Sequence, residues 1–266
     1  MNNNISPYTP TKVVWGNRSS ILTELINEAR KSVKKKGLLH IIKMGFIAIY
    51  EYLQLSFYKK FRNDETFDFN GKKYPYLFHG RVAGAGPSWK NERCVNIPIV
   101  LDIIQEYKSK GKRILELGNV LSYALEIDHD VVDKYEIMDG VINEDIVEFK
   151  PKEKYDLIVS VLCIHHVGWN ETPRDPPKVL RAIENLKNIL NPEGKMILSI
   201  AWDWNEYLDR QLLEGNLKFE KQWYLKKDKG YKWKEVQTID EIKDLKYDDK
   251  TYTARGIVIG EINKKT

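Results

Sequence analysis

The 266-residue chain is 42% hydrophobic and 11% aromatic, enough for a sizeable core and too apolar for a disordered polymer. Its net charge of +5 sits at one end: residues 1–62 hold eleven Lys/Arg against three Glu, so residues 63–266 carry −3. A nucleic-acid-binding domain carries its basic residues at its working site, so nucleic acid is disfavoured as a partner.

The opening MNNNISPYTPTK is polar and turn-forming, with no apolar signal segment. Two cysteines, Cys94 and Cys163, make neither a disulfide framework nor a zinc-ligand spacing. A reducing, cytoplasmic setting is expected, and no metal. Residues 1–62 read as a basic N-terminal helical extension. Within it, LLHIIKMGFIAIYEYLQLSFY (residues 38–58) is apolar nearly all round and flanked by lysines. Lys43 and Glu51 inside it disfavour a bilayer span. Two readings stand: a helix packed on the core or on a second subunit, which is favoured, and peripheral contact of residues 34–62 with a cytoplasmic membrane face.

Residues 63–90 are turn-rich. FDFNGKKY alternates around Asn70-Gly71 and predicts a small hairpin; HGRVAGAGPSW predicts a lid-like loop. Apolar spacing predicts a helix over 91–108. Strand candidates follow at 113–117, 130–135, 156–161 and 195–201, with a helix over 178–190 stopped by Asn191-Pro192-Glu193-Gly194. Short apolar strands alternating with helices imply an α/β domain over 91–266 with a mostly parallel sheet. Strands at 218–227 and 254–262 lack a helical crossover and predict a reversed closing pair.

In such sheets ligands sit beyond the carboxyl ends of the strands. There the chain offers Glu116-Leu117-Gly118-Asn119, Asp133, Asn143-Glu144-Asp145, and a fourth strand running out through Ser160 to His165, His166 and Trp169. A dinucleotide needs several glycines for its pyrophosphate, and only Gly118 is present. S-adenosyl-L-methionine has no phosphate; carboxylates suit its ammonium group and its ribose hydroxyls. The single glycine therefore favours this cofactor over NAD or ATP.

The series ILELGNV, Asp133, Asn143–Asp145, YDLIVSVLCIHHV and LKNILNPEGKMILSI resembles the class I S-adenosylmethionine-dependent methyltransferases over roughly residues 91–262. SWKNERCVNIPIV is similar to methyltransferases associated with bacterial polysaccharide and surface-glycan clusters. The resemblance implies a Rossmann-like, seven-stranded, mostly parallel sheet with a reversed last strand. It also implies a cofactor motif at Glu116 and Gly118, a ribose-binding acid at Asp133 (Asp130 as fallback) and an adenine-side acid at Asp145. Asn119, Asn143 and Ser160 join them as polar groups at the strand ends. Two departures stand out: the turn Asn119-Val120-Leu121-Ser122 lacks the further glycines, and the stretch from Asp133 to Asp145 is short for a crossover helix.

His166, and second to it His165, are the candidate catalytic bases. Arg93 and Glu92 open the helix before the first strand and are candidate acceptor contacts, as are Trp169, Trp202 and Trp204 as an aromatic wall. The expected activity is O-methylation of a small-molecule or glycan acceptor by in-line transfer. The rivals are a non-catalytic protein of the same fold acting at a membrane surface or in an assembly, including a homo-oligomer, and an RNA methyltransferase.

Overall fold

A computed structural model describes residues 38–80 and 86–264. The lysine run at 34–36, the helical reading of 19–37 and the middle of the lid-like loop, 81–85, lie outside the described residues.

Helix α1 (Leu38–Phe61) packs along one side only. Leu55 and Tyr58 join the core, and Tyr58 stacks on Phe78 with ring centroids 5.0 Å apart. Leu39, Ile42, Phe46, Ile49, Leu53 and Phe57 are exposed at spacings of three and four residues, which puts them along one stripe. No helix among the described residues is long and apolar enough to cross a membrane.

The hairpin forms as its turn residues dictate. β1 (Thr66–Phe69) and β2 (Lys72–Pro75) pair with Phe67 opposite Tyr74. Asn70 and Gly71 both take positive φ, 49° and 72°, as a two-residue primed turn requires. Helix α2 (Arg93–Ser109) buries Val95, Ile97, Val100, Leu101 and Ile104 and leads into β3 (Ile114–Leu117). The strands β4 (Asp130–Val132), β5 (Val141–Ile142) and β6 (Tyr155–Val161) follow. Then come α3 (Lys178–Asn188), β7 (Leu190–Ala201), α4 (Glu206–Leu213), β8 (Lys221–Lys227), β9 (Trp233–Val236) and β10 (Gly256–Asn263).

The sheet order is β5-β4-β3-β6-β7-β10-β8-β9. The first five strands are parallel, and β10 inserts antiparallel between β7 and β8. This is the Rossmann-like, mostly parallel sheet with a reversed last strand that the resemblance implies. It has eight strands instead of seven, because β8 turns back at 228–232 and pairs with β9 as an added edge. α3 ends at Asn188, earlier than the periodicity suggests. Leu190 is already paired with Tyr155, the ladder is interrupted, and pairing resumes at Lys195.

Alternation along the strands sends Leu157, Val159 and Val161 to the layer shared with α2, the hairpin and α1. Ile158, Leu198 and Ile200 face the layer shared with α3 and α4. Strand order reverses between β3 and β6, so a crevice opens beyond their carboxyl ends. The crossovers flanking it are short. Only a one-turn 3-10 helix (Leu121–Tyr123) separates β3 from β4, and no helix lies between β4 and β5.

Candidate functional site

The turn after β3 is held by an acid from the strand itself. Glu116 is fully buried, and its Oε1 accepts hydrogen bonds from the amides of Val120 and Leu121, both at 2.9 Å. Its Oε2 lies 3.1 Å from His129 Nε2. Both oxygens are thus engaged by the protein. In this structure Glu116, expected in the cofactor motif, holds the turn. Gly118 takes φ +81°, and a Cβ there would collide with the Cys163 side chain. The glycine is required by the turn and by the approach of the β6 loop.

A cavity of about 730 Å³ opens over this turn, lined among others by Gly118, Asp133, Glu136, Asp145, Cys163 and His166. Asp133 stands one residue past β4. Its Oδ1 accepts from the amides of Tyr135 and Glu136 at 2.8 and 2.9 Å, and Oδ2 accepts a long 3.4 Å bond from the Asn119 amide, which leaves Oδ2 with acceptor capacity toward the cavity. Asp130, the fallback, lies at the other end of β4 and bonds Arg113 and Tyr155, so it is excluded. Asn119 is buried, its amide donating to Glu136 at 2.9 Å. Asn143 ties down the backbone oxygens of Asp133 and Glu136. Ser160 is fully buried and accepts from Ile164 N at 3.0 Å. These three shape the cavity from behind instead of lining it, because their polar atoms close the loops that form its wall.

Asp145 lines the far side within an ion network the sequence did not reveal. Its Oδ2 is 2.5 Å from Lys178 Nζ and 2.9 Å from Lys134 Nζ, and both lysines also reach Glu171. Burial opposes ionisation of Asp145, but the bonds from Lys178 and Lys134 outweigh it and bring its carboxyl down to about 2. Glu171 is lowered by the same lysines against its own burial.

A second cavity, of about 580 Å³, lies beside the first and is lined by Glu92, Arg93, His165, His166, Trp204 and Tyr247, among others. His166 is the residue common to both. Burial lowers its pKa, the Asn170 side chain holds it up in part, and the Arg93 charge lowers it further. The ring is therefore neutral at neutral pH, and its Nδ1 is buried without a hydrogen-bond partner among the described residues. His165 is held well below its ordinary value by burial, then by His166 and Arg93. Its Nδ1 accepts from the Ala201 amide at 3.3 Å. A neutral ring accepting at Nδ1 carries its proton on Nε2, so His165 is suited to donating and His166 is the better base. Burial pushes the Cys163 thiol up to about 12, which removes it as a nucleophile at neutral pH.

The aromatic wall is Trp204 with Tyr247, their rings 4.6 Å apart at 70°. Trp202 is core: 3% exposed, donating Nε1–H to the Lys243 carbonyl at 3.1 Å. It is set aside as an acceptor contact because strand alternation turns it to the opposite layer. Trp169 borders a third cavity of about 410 Å³, with the Arg174 guanidinium 4.3 Å from its ring centre. Tyr247, Lys250 and Tyr252 come to the second cavity from the loop before β10, where no motif flags them. Among the described residues no group of His, Cys, Asp and Glu is arranged to hold a metal ion.

No family model matches the sequence, and no curated protein does. Solved structures similar to this chain are S-adenosylmethionine-dependent methyltransferases. One is the N-methyltransferase NodS from Bradyrhizobium japonicum WM9 in complex with S-adenosyl-l-homocysteine: 15% identity, 67% of this chain, 95% of that one, TM-score 0.38. Another is CalS10, an amino pentose methyltransferase from Micromonospora echinaspora: 13% identity, 66% of this chain, 92% of that one, TM-score 0.35. At such values a likeness speaks to no ligand and no reaction, and the fold rests on the strand order.

Two outcomes follow from the geometry. Glu116→Ala leaves the Val120 and Leu121 amides buried without an acceptor and is expected to lower the unfolding free energy by about 2–4 kcal/mol. Glu116→Gln keeps the acceptor and costs less; urea unfolding at unchanged m distinguishes the two. Asp145 and Glu171 both have depressed folded values, so their contribution is complete above the unfolded values of about 3.9 and 4.3. It is lost as pH falls through their lowered folded values, about 2 for Asp145. Asp145→Asn is expected to be less stable at neutral pH and to decline less steeply in acid, as read by thermal midpoints across that range.

Proposed function

We propose that the chain is an S-adenosyl-L-methionine-dependent methyltransferase acting on the hydroxyl of a small-molecule or glycan acceptor. The cofactor belongs to the first cavity and the acceptor to the second. The observation that carries this reading is the position of His166, a neutral imidazole lining both.

The residues of the first cavity fit a phosphate-free, cationic nucleoside. A helix-opening turn binds phosphate through its unsatisfied amides, but Glu116 has already consumed those of Val120 and Leu121. The lining includes Asp133, Glu136, Glu144, Asp145 and Glu171 against Lys134, a balance that repels a polyphosphate and attracts an ammonium or sulfonium. Asp133 Oδ2 would accept from ribose hydroxyls; Asp145, already engaged by two lysines, would border the adenine side. When bound, the cofactor supplies a methyl group on a positively charged sulfur, which keeps the carbon–sulfur bonding pair as the acceptor oxygen takes the carbon. His166 would take the hydroxyl proton of the acceptor, while Trp204 and Tyr247 hold the acceptor and exclude water.

Calorimetric titration with S-adenosylhomocysteine tests the first cavity, and absence of both heat and thermal stabilisation at millimolar ligand would sink the assignment. With an accepted substrate, His166→Ala is expected to lower kcat by about 10²–10⁴-fold with cofactor affinity retained. Activity should fall on the acid side as His166 is protonated, below its ordinary value of about 6.5.

A second reading, compatible with the first, concerns α1. Its exposed apolar stripe, with Lys43, Lys59 and Lys60 on the same helix, suits peripheral contact with an anionic membrane face. Flotation of the full chain with phosphatidylserine vesicles is expected and should be lost in the double variant Phe46→Asp, Leu53→Asp. Absence of flotation, with self-association that the same variant abolishes, would assign the stripe to a second copy. The acidic crevice disfavours the RNA alternative.

A further inference from the structure

Three buried polar atoms without a partner among the described residues belong to side chains of one cavity, the second: Arg93 Nε, Trp204 Nε1 and His166 Nδ1. Buried polar groups are almost always satisfied, and each exception calls for an explanation such as a catalytic role, a bound water or an ion. Arg93 is the most exacting of the three. Its side chain is only 12% exposed, and its nearest carboxylate oxygen, Glu92 Oε1, is 4.0 Å from Nη1, at the limit of an ion pair. Glu92 itself is pushed toward the neutral acid by burial, and its Oε2 is taken by the Ala254 amide at 3.0 Å. A guanidinium stays charged at any working pH, and burying it without an anion is costly.

We propose that the acceptor carries a carboxylate, and that Arg93 is its recognition site. This rests on the assignment of the second cavity to the acceptor. Two features suit an anion there. The lining cations Lys90, Arg93 and Lys250 outnumber the acids Glu51 and Glu92, of which Glu51 lies 3.3 Å from Lys90 and Glu92 is pushed toward the neutral form, so the lining is net positive. The guanidinium fork also matches a carboxylate in two parallel hydrogen bonds. Trp204, Tyr247 and Tyr252 provide apolar faces for the remainder of a ring-bearing molecule.

The placement couples recognition to chemistry. Arg93's charge is one of the influences that lower His166. A carboxylate on Arg93 offsets that charge and makes His166 a stronger base at the moment an acceptor arrives. A neutral analogue leaves the ring as it is. Arg93 would thus discriminate acceptors both by affinity and by the basicity of the neighbouring imidazole.

The test uses benzoate and benzamide, isosteric probes differing in charge, titrated into the full chain with and without S-adenosylhomocysteine. Binding is followed by calorimetry and by the His166 ring signals in NMR. Benzoate is expected to bind at least about tenfold more tightly than benzamide and to raise the His166 titration midpoint. Arg93→Gln is expected to abolish both effects with S-adenosylhomocysteine affinity unchanged, and Arg93→Lys to retain part of the preference. Equal affinity for the two probes, no benzoate binding at millimolar concentration, or a preference that survives Arg93→Gln would overturn the proposal. So would tighter binding of methyl phosphate than of benzoate, or loss of S-adenosylhomocysteine binding in Arg93→Gln, which would give the guanidinium to the cofactor. Failure of the wild-type chain to bind S-adenosylhomocysteine sinks the methyltransferase reading alone, because the anion preference is read without it.

Discussion

The site depends on one buried carboxylate. Glu116 rises from the end of β3 and satisfies the amides of Val120 and Leu121, groups that in a phosphate-binding turn would face the ligand. A turn closed by its own strand needs no run of glycines, because no ligand backbone contact has to pass through it. It also offers no anion site. Placing an ionisable group at zero exposure is tolerable only because each of its oxygens has a donor or a ring nitrogen beside it. The same interaction therefore shapes the turn and narrows the ligand chemistry.

Around that turn, the two cavities are built from different materials. The first has an acidic wall, stiffened where Asp145 and Glu171 share Lys134 and Lys178. The second is aromatic and carries the surplus cation. His166 lines both. His166 holds that position because the one-turn helix Ile164–His166 follows β6 directly at the sheet's carboxyl edge. His165, its neighbour, lines the second cavity and not the first, its ring 4.4 Å from that of His166 and anchored by Ala201, with Asn205 on its backbone carbonyl.

Much of the architecture was legible because burial imposes a period. The runs ILEL, YDLIVSV and MILSIA are apolar on both faces, as strands covered on both sides must be, and Asn70-Gly71 announced its hairpin through the only turn that fits the strand twist. Asp133 was placed correctly at a strand end. Glu116 was legible as important but not in its role, since acceptance from amides four and five residues ahead is a matter of turn geometry. Trp202 and Trp204 look alike in sequence, yet the turn past β7, where Asp203 takes φ 65°, puts one in the core and the other in the cavity. Arg93 and Glu92 drew notice as a pair; that they form only a marginal ion pair depends on how α2 meets the loop before β10.

By itself the chain order determined the layers: short apolar strands separated by amphipathic segments, a reversed closing pair, and acids at strand tips. Hydrophobic periodicity is a local property, and a string of residues displays it in full. Only the tertiary structure decided which polar groups are consumed by the protein and which are left for a ligand. Hydrogen-bond satisfaction is settled between segments far apart in sequence, as Asp145 with Lys178 and Glu92 with Ala254 illustrate. The unpartnered polar atoms of the second cavity's side chains emerge only once every other pairing has been made.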